Sequence, residues 1–210
     1  MNRRPLTVAL PKGRLAKQLA PRFAREGVSA ETFSESDRRL QRDAVMGEVA
    51  LRFLMLKPDD VPTYVEHGAA DAGIVGRDVL LERGSELYVP LDLGLGRCRM
   101  VVAAPEGRGE ALPGHALRVA TKYPRIAAAH YAAKGVEVEV IYVQGSVETA
   151  PLVGLSDVIV DLVETGETLR QNGLVVREAV CEVSAVLAVN RVGMKLRRAE
   201  LRALMACLGG

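Results

Sequence analysis

The sequence predicts an α/β protein of two lobes, and three observations point to that. Short apolar runs alternate with stretches of helical periodicity. Several runs are apolar on consecutive residues, the pattern of strands in a parallel sheet covered on both faces. Two extended runs, "LDLGLGRCRMVVAA" (91–104) and "VVREAVCEVSAVLAVN" (175–190), lack an intervening helix and are long enough for a chain crossing between lobes. Two crossings place residues 1–92 and 186–210 in a first lobe and residues 93–185 in a second.

The elements follow in order. Residues 6–10 read as a buried strand closed by Pro11 and Gly13. Leu15, Leu19 and Phe23 recur every four residues, one face of a helix that ends at Gly27. Residues 49–56 form the next strand. The segment Asp59-Asp60-Val61-Pro62 reads as a helix start, with acids as caps and proline in the first turn. Residues 72–76 are a short central strand, with a helix after it through Leu80 and Leu81. Further strands are expected around Val119-Ala120 and over 138–143 and 158–160, with a helix over 126–134 capped by Gly135.

Composition narrows the functional classes. The chain has 210 residues, 49% of them hydrophobic and 26% charged, with a net charge of +2. That balance argues against a nucleic-acid binder. The run Lys195-Leu196-Arg197-Arg198 reads as the exposed face of a terminal helix. No apolar stretch has the length of a membrane span, and the N-terminus lacks the long apolar region of a signal peptide. Cys98, Cys181 and Cys207 are odd in number and far apart, which suits neither a disulfide framework nor a zinc site. A cytoplasmic location is the expectation. His67, His115 and His130 are scattered and read as structural.

The chemistry concentrates in "DLVETGETL" (161–169), just past an apolar run. In an open α/β sheet, ligands bind beyond the carboxyl ends of the strands. Gly166 lets the backbone approach a ligand closely. The N–H groups of Gly166, Glu167 and Thr168 open a helix expected over 167–172, where they attract an anion. Thr165 and Thr168 add hydroxyl donors. Asp161 would repel a phosphate, so it suits sugar hydroxyls or a magnesium ion. A phosphate cradle beside a group that grips sugar hydroxyls points to a phosphoribosyl ligand. The competing reading is a plain helix cap made by Asp161 and Thr165. Gln144-Gly145-Ser146-Val147-Glu148 brings a second glycine, hydroxyl and carboxylate to the same edge.

The segment "QGSVETAPLVGLSDVIVDLVETGETL" closely resembles the signature of the ATP phosphoribosyltransferase family, the first enzyme of histidine biosynthesis. The blocks "ALPKGRL", "KPDDVPTYVEHGAADAGIVGRDVL", "LGLGRCRM" and "RVATKYP" resemble the family's other blocks, in order. The resemblance implies two lobes of the type II periplasmic-binding-protein kind with the active site in their cleft. It implies a transferase that joins N1 of ATP adenine to C1 of phosphoribosyl pyrophosphate and releases pyrophosphate, with Mg2+ bound to the pyrophosphate. The chain ends where the long form continues into a regulatory domain, so it resembles the short form. The resemblance implies a homodimer that works in a hetero-oligomer with a regulatory subunit related to histidyl-tRNA synthetase.

By the same resemblance, Lys12, Arg14, Arg38, Asp71 and Gly73 are expected on the ATP side. Gly145, Ser146, Glu148, Asp161, Thr165, Gly166, Glu167 and Thr168 are expected on the phosphoribosyl pyrophosphate side, with Asp161 and Arg14 catalytic. Several readings stay open. "PKGR" also suits an ordinary basic turn. Arg38 and Arg39 compete for one family position. Gly73 and Gly76 also suit packing alone. Arg97, Arg99 and Lys122 have no assigned role. The alternative function is a non-catalytic small-molecule binding protein of the same architecture.

Overall fold

The computed structural model describes residues 4–107 and 115–209. Met1 to Arg3 and Gly210, the ends of the expected first lobe, lie outside the described residues. The chain divides into two compact units. One comprises Met1–Leu80, Gly84–Gly96 and Ser184–Gly210, and the other Leu81–Arg83 and Arg97–Val183.

The first unit is built on a six-stranded sheet. Its strands are β1 (Leu6–Pro11), β2 (Gln41–Met46), β3 (Val49–Leu56), β4 (Ala72–Gly76), β5 (Tyr88–Asp92) and β11 (Ala185–Val189), in the order β2-β3-β1-β4-β11-β5. β3, β1 and β4 run parallel, while β2, β11 and β5 each run antiparallel to a neighbour. The sheet is therefore mixed, not purely parallel as expected. The reason is local: β2 returns into β3 through a tight turn at Gly47, and β11 enters from the second crossing. The alternation of the pleat sends Leu6, Val8 and Leu10 into one core layer and Ala9 into the other. α1 (Arg14–Ala24) buries Leu19 and Phe23 on the first layer. There Phe23, Phe33 and Phe53 pack with ring centroids 5.2–5.4 Å apart. α2 (Val61–Glu66) covers the other face through Val61 and Val65. Its helix start differs from expectation: Pro58–Asp60 form a 3₁₀ turn, and Asp60 makes no side-chain cap. α3 (Arg77–Arg83) follows β4.

The second unit carries a five-stranded sheet. Its strands are β6 (Cys98–Pro105), β7 (Leu117–Thr121), β8 (Val138–Tyr142), β9 (Val158–Val163) and β10 (Leu174–Val183), in the order β10-β6-β9-β7-β8. β7 is parallel to both β8 and β9, while β6 is antiparallel to β9 and to β10. α4 (Pro124–Ala133) packs Ile126, Ala127 and Tyr131 on one face. The short α5 (Glu167–Gln171) anchors the other face through Leu169. Each long extended run resolves into two strands, β5 with β6 and β10 with β11, one in each sheet.

The C-terminal helix is also two, α6 (Arg191–Leu196) and α7 (Arg198–Gly209). Lys195, Leu196 and Arg198 are exposed as expected of the run, but Arg197 sits at the break and is only 9% exposed. Its guanidinium pairs with Glu200 at 3.1 Å and donates to the Arg4 carbonyl at 2.9 Å. No helix among the described residues is long and apolar enough to cross a membrane.

Candidate active site

In the second unit the parallel strands β7, β8 and β9 end on one edge at Thr121, Tyr142 and Val163. The edge is tied together from within. The buried Thr121 hydroxyl donates to the Val160 carbonyl at 2.6 Å and accepts the Tyr123 N–H at 2.8 Å. The Val143 N–H donates to the Thr121 carbonyl at 3.0 Å. The loops beyond those ends hold Lys122, residues 143–148 and residues 164–168. Val147 and Leu169 anchor the latter two in one core layer.

Asp161 does not lie past its strand, as expected, but inside β9 opposite Val101. It is half-buried, and its Oδ1 accepts the Leu162 N–H at 2.8 Å. Burial pushes its pKa up; the Leu162 N–H opposes this, the Glu148 carboxylate adds to it, and Lys122 opposes it. Glu148 and Lys122 thus act electrostatically on Asp161 from two neighbouring loops. Ser146, which opens the 3₁₀ turn Val147–Thr149, has φ 51° and ψ 42°. Among the described residues it alone holds a left-handed backbone without being glycine. Such a conformation costs about 1–2 kcal/mol, the kind of strain that gathers at functional loops. Beside it, Gly145 has open space where a Cβ would stand.

In the next loop Gly166 has φ 79°, which a side chain would disfavour. The Thr165 Oγ1 accepts the Glu167 N–H only at 3.4 Å, a weak contact. Asp161 makes no contribution to capping α5. The helix-cap reading therefore keeps only that one long contact. Thr168 is exposed, and its hydroxyl has no partner among the described residues. Glu167 differs: its carboxylate is taken by Arg170 and, at 2.8 Å, by Gln171 of the same helix. The helix ends one residue earlier than expected, with Asn172 as its cap.

Arg97 and Arg99 acquire a place here. β6 is antiparallel to β9 and pairs Arg99 with Val163, so its start lies at the edge where the Glu164–Gly166 loop begins. Both arginines are exposed, without a partner among the described residues.

The first unit has its own carboxyl edge, where β3, β1 and β4 end at Leu56, Pro11 and Gly76. Gly13, with φ 91° and ψ −141°, turns the chain from β1 into α1, and Arg14 is the first helical residue. The Lys12 N–H donates to the Leu56 carbonyl at 2.9 Å while its side chain stays exposed. Pro11 pairs with Leu56, so Lys57 follows β3 as Lys12 follows β1. Lys57 is exposed and went unnoticed in the sequence; its position at a strand end was the signal. Arg38 arrives at the same edge through β2, which the sequence reading did not anticipate. β2 pairs Gln41 with Leu54, and the Met55 N–H donates to the Leu40 carbonyl at 2.8 Å. Arg39 is committed to Asp37 through a fork of 2.8–3.1 Å. Arg38 is exposed and has no partner among the described residues.

Asp71 and Gly73 do not join this group. Asp71 precedes β4 rather than ending it, so it lies at the opposite edge, beside the start of β1. It is 4% exposed and accepts from the Thr7 N–H at 2.9 Å and from Arg4 at 2.7 Å, with Arg197 at 3.8 Å. Gly73 serves packing: a Cβ there would stand 2.6 Å from Val61 Cγ1 and 2.8 Å from Val65 Cγ2. His130 meets Glu178 at 3.0 Å, away from both edges. Cys98, Cys181 and Cys207 are thiols, none of them in a disulfide.

Two mixed sheets, each with parallel strands that end on a polar edge, define a two-unit α/β protein of the type II periplasmic-binding-protein kind. The family model of ATP phosphoribosyltransferase matches residues 57–210. An ATP phosphoribosyltransferase of Sorangium cellulosum is 58% identical over 96% of this chain and 93% of its own length. One of Anaeromyxobacter sp. is 54% identical over 97% and 91%. Among solved structures, a chain of the ATP phosphoribosyl transferase (HisG:HisZ) complex from Thermotoga maritima matches with a TM-score of 0.82 and 36% identity, over 97% of this chain and 96% of that one. The chain belongs to the ATP phosphoribosyltransferase family, pentosyltransferases of the first step of histidine biosynthesis.

Proposed function

We propose that the second unit's carboxyl edge holds phosphoribosyl pyrophosphate and the first unit's holds ATP, and that the chain joins adenine N1 to ribose C1 with loss of pyrophosphate. The observation that carries this is the convergence of Asp161, Glu148, Lys122 and the Thr165-Gly166 loop on one strand edge. Thr165, Thr168 and the N–H groups of the loop hold the 5-phosphate, and Asp161 with Glu148 takes the ribose hydroxyls. Lys12, Arg14, Lys57 and Arg38 meet the triphosphate and adenine; a guanidinium forks onto phosphate or stacks on a base. Arg97 and Arg99 add positive charge where pyrophosphate departs. The protein's part is positioning and neutralisation.

Among the described residues no three His, Cys, Asp or Glu side chains gather as a metal site. Two neighbouring carboxylates, Asp161 and Glu148, suit a magnesium ion that keeps most of its ligands from water and substrate oxygens. When bound, the ion neutralises pyrophosphate charge. Asp161 and Glu148 are the groups that would hold it.

Membership of the family sets the non-catalytic reading aside. For partners, the Thermotoga structure is of a HisG:HisZ complex. This chain is proposed to form a homodimer and to join a regulatory subunit related to histidyl-tRNA synthetase in a hetero-oligomer. The test is calorimetry of ATP and of phosphoribosyl pyrophosphate, each with magnesium, on Arg14→Ala, Arg38→Ala and Thr165→Ala. The arginine variants should lose ATP selectively and Thr165→Ala phosphoribosyl pyrophosphate selectively. Equal losses of both ligands would sink the assignment of edges.

A further inference from the structure

Arg42 is the second residue of β2 and is only 6% exposed. Its guanidinium donates to the carbonyls of Thr32 at 2.7 Å, Ser34 at 3.0 Å, Arg39 at 3.1 Å and Asp37. The Asp37 carboxylate is 3.6 Å away. Residues 34–40 have no helix or strand of their own. This one buried cation meets three of their backbone carbonyls, and that of Thr32 just before them.

A second clamp works on the same loop. Asp37 Oδ1 accepts the Arg39 N–H at 2.9 Å, an Asx-type turn, and the Asp37 carboxylate also takes the Arg39 guanidinium. The first clamp takes Arg42 inward, and the second engages Arg39 with Asp37 at the surface. Arg38, between Asp37 and Arg39, is left exposed and unpartnered among the described residues. Burying a guanidinium costs several kcal/mol unless its donors are satisfied. A hydrophobic residue would fill the same space without that cost. Several loop carbonyls that converge on one fork of donors are a reason to keep an arginine here.

We propose that Arg42 is a positioning residue for ATP, which fixes the 34–40 loop so that Arg38 is presented preorganised to the nucleotide. The inference rests on the reading that Arg38 contacts ATP. A loop ordered before binding spares the nucleotide the cost of ordering it. Arg42 itself touches no substrate.

The experiment is steady-state kinetics of the holoenzyme with Arg42→Lys, Arg38→Ala and the double variant. Lysine keeps the charge but cannot span four carbonyls. Arg42→Lys is expected to raise KM for ATP about tenfold and to leave kcat and KM for phosphoribosyl pyrophosphate within about twofold. In the Arg38→Ala background it should add nothing further. A rise that multiplies onto that of Arg38→Ala, or no rise, overturns the positioning role. Should Arg42→Lys fail to fold, Asp37→Ala releases the other clamp at the surface and must show the same dependence on Arg38. Arg38→Ala with an unchanged KM for ATP overturns the underlying reading and this inference together. Hydrogen exchange at residues 34–40 separates the cases: Arg42→Lys should speed it whichever ligand Arg38 meets, and unchanged exchange overturns the clamp alone.

Discussion

The Ser184 hydroxyl lies 2.8 and 2.7 Å from the two carboxylate oxygens of Asp92. Asp92 ends β5 where the chain leaves the first unit, and Ser184 precedes β11 where it returns. The Gly94 N–H also donates to Asp92, at 2.9 Å, and Arg77 approaches at 3.4 Å. The Gly94 N–H, the Ser184 hydroxyl and Arg77, against some burial, hold the Asp92 carboxyl below its ordinary pKa.

Ser184→Ala is expected to cost about 1 kcal/mol, at the modest end because Asp92 is 48% exposed. A carboxyl whose folded pKa is depressed stabilises above its unfolded pKa and loses that contribution as pH falls through the folded one. The gap between wild type and variant should therefore be present at neutral pH and shrink below the ordinary value of 3.8. Urea unfolding across that range checks it; a gap that persists undiminished in acid contradicts the assignment.

Asp161→Asn should separate stability from activity. Burial and Glu148 raise the Asp161 pKa, so its charged form opposes folding above the folded pKa, and that cost is relieved as pH falls through it. The variant should melt higher at neutral pH and turn over more slowly. A lower melting temperature with normal turnover would mean that the carboxylate serves the fold.

Thr165→Ala should weaken phosphoribosyl pyrophosphate binding by about 10- to 150-fold and barely change the melting temperature. The 3.4 Å contact to Glu167 is too long for the stability loss of about 1 kcal/mol that removal of a true cap brings. Calorimetry and a melting curve on one variant decide it: normal affinity with a lowered melting temperature would restore the helix cap.

Gly73→Ala and Asp71→Ala should act on the fold alone. A Cβ at Gly73 overpacks Val61 and Val65, at about 1–3 kcal/mol. Loss of Asp71 removes the buried acceptor of the Thr7 N–H, at about 1–3 kcal/mol, while Arg197 keeps Glu200. Folded enzyme should keep its ATP affinity in both; a selective loss of ATP would return them to the ATP side.

Lys57→Ala should weaken ATP and spare phosphoribosyl pyrophosphate, since Lys57 and Lys12 follow paired strand ends. Titration of each ligand checks this, and an unchanged ATP affinity removes Lys57 from the edge's function.

The sequence by itself determined the α/β class, the strands β1, β3 and β4, and the loop around Thr165 and Gly166. Those features are local: consecutive apolar residues mark a strand buried on both faces, and a glycine among hydroxyls marks a tight polar turn. β2 escaped because a strand with one neighbour needs little apolar surface, and its Arg42 is buried for the sake of a loop. Only the tertiary structure decided which edge each residue occupies. Asp71 precedes the five-residue strand β4 and Gly76 ends it, so strand direction sends one to the amino edge and the other to the carboxyl edge. Lys57 joins Lys12, and Arg99 joins the Glu164–Gly166 loop, through pairings between strands distant in sequence. Strand direction and register are settled by burial of whole faces and by backbone hydrogen bonds between distant segments, which no short window of residues contains.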